Sequence, residues 1–110
     1  MRKLITTITI LLFALVSNAQ INKIETSNLD VDGKVTEENY LFFYSDKYLT
    51  FGKESEDTED YTLVKFTSKS DTELVGVDYF LFTTDLGYSV FIRKDNSQVL
   101  FIGENTFIFY

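Results

Sequence analysis

From Tyr40 to the C-terminus the chain alternates short apolar runs with clusters of Asp, Asn, Ser and Gly. Runs rich in Phe, Tyr, Val and Ile, bounded by turn residues, are the signature of β-strands. They fall at Asn39–Tyr44, Lys47–Phe51, Tyr61–Thr67, Glu73–Thr83, Tyr88–Lys94, Gln98–Ile102 and Thr106–Tyr110. No stretch of this region keeps a helical apolar period over three turns, so helix is a poor fit. Short connections join consecutive strands as antiparallel hairpins, because a parallel crossover needs a dozen or more residues. The expectation is an all-β antiparallel up-and-down meander of about seven short strands forming a small barrel or strongly curved sheet. Its first strand is expected near Tyr40, with Gln20 to Ser27 supplying a covering strand or a single helical turn.

The C-terminal half tests this pattern against turn chemistry. A three-residue loop at Asp85-Leu86-Gly87, with Gly87 in the left-handed region, sets Phe82 opposite Val90 and Phe80 opposite Ile92. It also sets Leu81 opposite Phe91 and Tyr79 opposite Arg93. A two-residue loop at Asp95-Asn96 then sets Ile92 opposite Val99 and Val90 opposite Phe101. Two independent turns thus predict one apolar face of Phe80, Phe82, Val90, Ile92, Val99 and Phe101. The other face is expected to carry Leu81, Phe91, Leu100, Ile102, Phe107 and Phe109, as ordinary core, as the lining of a ligand cavity or as an exposed partner-binding patch. Apolar residues on both faces require the sheet to close, stack or dock another element.

Residues 1–19 change the picture by giving an address. Met1-Arg2-Lys3 is basic, Leu4 to Val16 is uncharged and mostly apolar, and Ser17-Asn18-Ala19 is small or polar. These are the three parts of a secretory signal peptide, and the apolar run is short of the roughly 20 residues of a membrane span. Cleavage is expected near Ala19-Gln20, leaving one small all-β domain over 20–110, secreted or periplasmic. No Cys is present, so neither a disulfide nor a lipid-modified cysteine is available. The formal net charge of −7 becomes −9 once Arg2 and Lys3 leave. An acidic chain of this kind is a poor match for nucleic acid or an anionic membrane.

Absent residue types narrow the chemistry further. There is no His and no Cys, which removes the commonest general base, thiol nucleophiles and ordinary zinc or transition-metal sites. No Ser-x-x-Lys occurs after the signal, and the glycines at 33, 52, 76, 87 and 103 form no phosphate loop. Paired carboxylates remain, but tight turns leave little room for a deep cleft. An enzyme is not expected, and no resident cofactor is implied.

One segment carries a metal motif. Asn28-Leu29-Asp30-Val31-Asp32-Gly33-Lys34-Val35-Thr36-Glu37-Glu38-Asn39 resembles the calcium loop of the EF-hand family. Asn28, Asp30 and Asp32 stand at loop positions one, three and five, Gly33 at six, and Thr36 at nine. The resemblance implies calcium held by Asn28, Asp30, Asp32 and Thr36, although Asn39 replaces the Glu at position twelve. The other reading is a plain Asp-Gly turn entering the first hairpin. Gly52 to Asp60, with five carboxylates and one lysine, reads as a solvated acidic loop. The terminal Phe107-Ile108-Phe109-Tyr110 is similar to the aromatic end of outer-membrane barrels, but the strands expected here are too short to span a bilayer.

Two functions fit these constraints. The first is an exported non-catalytic module that binds a protein or surface partner, a basic one being one option. The loop Gly52 to Asp60 would supply charge, and Tyr44, Tyr48 and Tyr110 the aromatic anchors. The alternative is a carrier of a small apolar ligand, because an up-and-down meander with an apolar interior resembles the lipocalin family in outline.

Overall fold

The computed structural model describes residues 21–110; the expected signal peptide, residues 1–19, and its junction with Gln20 lie outside them. Eight strands follow one another: β1 (Asn22–Val31), β2 (Lys34–Tyr44), β3 (Tyr48–Lys53), β4 (Thr62–Leu74), β5 (Val77–Thr84), β6 (Ser89–Arg93), β7 (Val99–Ile102) and β8 (Thr106–Phe109). Each pairs antiparallel with its sequence neighbours, and β8 returns to β1, so the meander closes into a ring. The ring is uneven. β8 meets β1 only at Leu29, Asp30 and Val31, and the Asn22–Thr26 half of β1 has β2 as its sole strand neighbour among the described residues.

The additional strand is β1, and it corrects the expectation of a first strand near Tyr40. Ile24 and Thr26 point inward, a bulge falls between Thr26 and Asn28, and Leu29 then faces Phe109 in the interior. Against β8, Ser27 and Asn28 both donate their N–H to the Tyr110 carbonyl, two residues facing one, which reverses the parity of the β1 residues C-terminal to them, so simple alternation fails across this strand. The same device recurs in β4, where the register shifts between Phe66 and Ser68. Glu73–Thr83 is therefore not one strand. β4 runs on through polar Ser68 to Thr72, turns at Val75-Gly76, and returns as β5. Both residues of that turn have positive φ, 49° and 77°, the backbone of a two-residue hairpin turn that matches strand twist.

The register of β5, β6 and β7 is the expected one. Phe82 faces Val90, Phe80 faces Ile92, Ile92 faces Val99 and Val90 faces Phe101. Gly87 adopts φ +86° as its loop requires. The face breaks down one strand later. Val99 pairs with Phe109 and Phe101 with Phe107, so Phe107 and Phe109 belong to the interior. The outer row is Leu81, Phe91, Leu100 and Ile108, directly opposite one another across four strands. The physical reason is the three-residue loop Gly103–Asn105, which sets Ile102 opposite Thr106 and fixes the parity of β8.

The interior is filled along most of its length. Ile24, Phe42, Leu49, Val64, Phe82, Val90, Ile92 and Val99 are each at most 1% exposed. Each such side chain contributes about 1.5–3 kcal/mol relative to exposure, which is how a chain without disulfides holds together. Tyr44, 5% exposed, donates a hydrogen bond from its hydroxyl to Asn96 Oδ1 at 2.8 Å. It is a core residue and not the surface anchor expected from its place at a strand end.

Candidate functional site

An up-and-down ring sends its connections alternately to two ends, and here the two ends differ in charge and packing. The β2–β3, β4–β5 and β6–β7 turns share one end, which we call the closed end. Phe66 and Phe82 stack there with centroids 4.0 Å apart, and Tyr44 meets Phe82 edge-on. Phe80, nearer the surface, has Lys69 and Lys94 over its ring at 4.5 and 5.0 Å. These lysines also pair with Asp46 and Asp71 at 2.7 and 3.1 Å. Lys23, Lys47, Lys65, Lys69, Arg93 and Lys94 balance Glu25, Asp46, Asp71, Glu73, Asp78 and Asp95 in this half.

The β1–β2, β3–β4, β5–β6 and β7–β8 connections share the open end. Its interior is aromatic. Phe51, Phe101 and Phe109 are mutually tilted by 63–64° with centroids 5.0–6.2 Å apart, forming a three-walled corner. Tyr40 meets Phe109 edge-on at 4.9 Å. Leu29, Tyr40, Phe51, Phe101, Phe107 and Phe109 line a cavity of about 210 Å³. A second hollow of about 220 Å³ adjoins it behind the shared walls Phe101 and Phe107, bounded by Tyr88 and the Gly103–Asn105 loop. The alternation of β2, β3, β7 and β8 places these rings inside.

The rim is acidic. Asp30, Asp32, Glu37, Glu38, Glu54, Glu56, Asp57, Glu59, Asp60, Asp85 and Glu104 lie in this half, against Lys34 and Lys53 alone. Lys53 is already held by Glu38 at 3.7 Å, and its backbone N–H donates to Glu56 Oε1 at 2.9 Å. Burial pushes the Tyr40 hydroxyl above its ordinary pKa; Lys53 opposes this and Glu38 and Glu56 add to it. Burial likewise raises Tyr88, with Asp85 contributing. The carboxylates are therefore near enough to be felt at the cavity walls.

The acidic loop between β3 and β4 is tied down more firmly than a solvated loop would be. Thr58–Asp60 forms a single 3-10 turn, and the ring of Tyr61 covers Gly52. A Cβ on Gly52 would fall 2.4 Å from Tyr61 Cδ1, so only glycine admits the ring. Glu59 is 9% exposed, and neither of its carboxylate oxygens has a hydrogen-bond partner.

The residues of the calcium motif lie on the β1–β2 hairpin. Asp32 and Gly33 form its tip with φ 51° and 94°. Gly33 N–H donates to Asp30 Oδ1 at 2.7 Å, and Thr106 N–H donates to Asp32 Oδ1 at 2.8 Å. Both carboxylates thus build the turn and tie it to β8. Thr36 stands opposite Leu29 and so faces the side of the sheet away from Asn28 and Asp30. The structure brings Asp30 and Asp32 to one turn and does not bring Thr36 to them. Among the described residues no group of three or more carboxylates is placed to hold a metal ion. An Asp-rich hairpin tip and an ion loop ask for the same residue types, which is why the sequence alone leaves both readings open.

Of the six residues expected on a second, cavity-lining face, Phe107 and Phe109 do line the cavity, while Leu81, Phe91, Leu100 and Ile102 face outward. Leu29, Tyr40, Phe51 and Phe101 complete the cavity; Phe101 stands on the apolar face that the turns predict, Tyr40 and Phe51 follow from alternation with buried Phe42 in β2 and β3, and Leu29 needs parity counted through the bulge in β1. No family model, curated protein or solved structure matches this chain.

Proposed function

We propose that the protein is an exported, non-catalytic binding module that recognises a basic partner through the open end. The observation that carries this reading is the coincidence of an open aromatic cavity with an eleven-to-two excess of carboxylates over lysines at one end. Complementary charge steers an approaching partner and sets register, while an aromatic recess receives an apolar anchor after most water has left. Size argues against a lipid carrier. Pockets for drug-sized ligands run from about 300 Å³ upward, and the cavity of about 210 Å³ accepts one side chain or head group.

The test separates the acidic end from acidity in general. Neutralising Glu54, Asp57 and Asp60 as amides removes three exposed charges at the open end. Neutralising Glu25, Glu73 and Asp78 removes three at the other. The first triple variant should lose salt-sensitive retention on an immobilised basic protein such as lysozyme, and the second should keep it. Equal loss in both would reduce the effect to net charge and remove the reading.

A further inference from the structure

We infer that the open-end cavity takes a quaternary ammonium head group of the choline type. This rests on the open end being the binding end and adds the chemistry of the group bound. Four observations lead to it. The walls are Leu29, Tyr40, Phe51, Phe101, Phe107 and Phe109, five aromatic rings and one aliphatic chain. Three of these rings form a corner at mutual tilts of 63–64°, and a cation set against ring faces is attracted by their quadrupoles. The molecule already uses this contact elsewhere: Lys69 and Lys94 sit over Phe80 at the closed end. Among the described residues no lysine or arginine sits over a ring at the open end, although carboxylates crowd its rim.

The walls also decide which cation. A lysine ammonium carries three N–H donors and an arginine guanidinium five, and each donor stripped of water needs an acceptor. The cavity lining offers one hydroxyl, that of Tyr40. A donor left unmatched there loses its water with nothing in return, which is the costlier side of hydrogen bonding. A trimethylammonium group has no N–H donor, spreads its charge over methyl surfaces and loses nothing of this kind. A phosphocholine group fits less well than free choline, because its phosphate would lie among Glu38, Glu56 and Glu54.

Choline and its neutral carbon isostere, in which a quaternary carbon replaces the nitrogen, separate charge recognition from mere shape. Ring-proton shifts of Phe and Tyr in the mature chain should report choline binding about tenfold tighter than the isostere, a ratio within the range of desolvated cation–π contacts. Phosphocholine should bind more weakly than choline. Phe51→Leu keeps the wall apolar and removes a π-face, so it should cost choline about tenfold and leave the isostere within about twofold. If Phe51→Leu loses its dispersed amide spectrum, Phe107→Leu at a half-buried ring gives the same comparison. Equal affinity for choline and isostere makes the cavity an apolar slot and overturns the inference, as does absence of binding by either. Retention of the unaltered chain on the basic protein, and its loss in the Glu54, Asp57 and Asp60 amide variant, are read without choline and keep the partner reading separate from both failures.

Discussion

The closed end and the open end of this ring use the same residue types for opposite purposes. At the closed end the aromatic and charged side chains are answered within the chain: Tyr44 by Asn96, Phe80 by two lysines, and those lysines by Asp46 and Asp71. At the open end Tyr40, Phe51 and Phe107 stand half-covered and carboxylates outnumber cations. The difference teaches that stability and recognition occupy separate ends of one small core. A chain without disulfides has little stability to spare. It can leave rings half-covered at one end because Phe82, Leu49, Val64 and Ile92 are fully buried elsewhere in the core.

Truncating one ring at each end puts this division at risk with the largest expected effect. Phe82 is fully buried and stacked on Phe66, so Phe82→Ala should cost about 3–5 kcal/mol. Phe107 is half-buried beside existing space, and Phe107→Ala should cost no more than about 2 kcal/mol. Urea unfolding of both variants measures the contrast. Similar losses would mean that the open end is as much core as the closed one.

Gly52 sharpens the comparison at the acidic loop. A methyl group there meets the Tyr61 ring at 2.4–2.9 Å, so Gly52→Ala must displace Tyr61 and free the loop that it covers. The expected cost is about 1–3 kcal/mol, the usual range for overpacking. Faster hydrogen exchange should be confined to residues 54–61. Exchange that spreads into β5 and β6 would show that the loop is part of the common core.

The two ends also allow a comparison of one backbone with two sequences. Asp32-Gly33 and Val75-Gly76 both have two successive positive φ values, a turn that favours Asn or Asp before Gly. Val75 is fully exposed in a conformation that β-branched residues avoid. Val75→Asn should stabilise the protein by about 1 kcal/mol. A loss of stability would mean that Val75 has a role outside the turn.

How far such features were legible in the sequence depended on whether the local pattern and the turn agreed. They agreed from Tyr79 to Phe101, where Gly87 and Asp95-Asn96 fix loops of definite length, and the observed register is the expected one. They disagreed in β1, whose few apolar residues Ile24, Leu29 and Val31 straddle a bulge. They disagreed again in β4, whose outer half is polar because it extends beyond the core as one arm of a hairpin. Val75-Gly76 was hidden because Val reads as strand. The cavity escaped for a related reason: Phe107 and Phe109 change face with a single residue of loop length. Charge at the open end was visible as Gly52 to Asp60, but its convergence with Asp30, Glu38, Asp85 and Glu104 is a property of closure.

Tyrosine ionisation offers the mildest probe of the two ends, silent at neutral pH. Tyr44 at the closed end is raised above the ordinary value of 10.0 by burial and then by Asp46. Tyr40 and Tyr88 at the open end are raised chiefly by burial as well. Each favours the neutral form when folded. Their stabilisation is therefore complete below the unfolded value and is lost as pH rises through the folded one. The ends should differ in how ionisation occurs. Tyr44, 5% exposed and hydrogen-bonded to Asn96, must leave its site to become charged, so its titration should coincide with unfolding. Tyr40 is half-buried at the open cavity and should titrate within the folded state. The drop in stability between neutral pH and about pH 11 should therefore shrink in both variants, and more in Tyr44→Phe than in Tyr40→Phe. Urea midpoints across that range, read beside tyrosinate absorbance, make the comparison. An equal change in both variants would remove the distinction between a closed end that excludes charge and an open end that admits it.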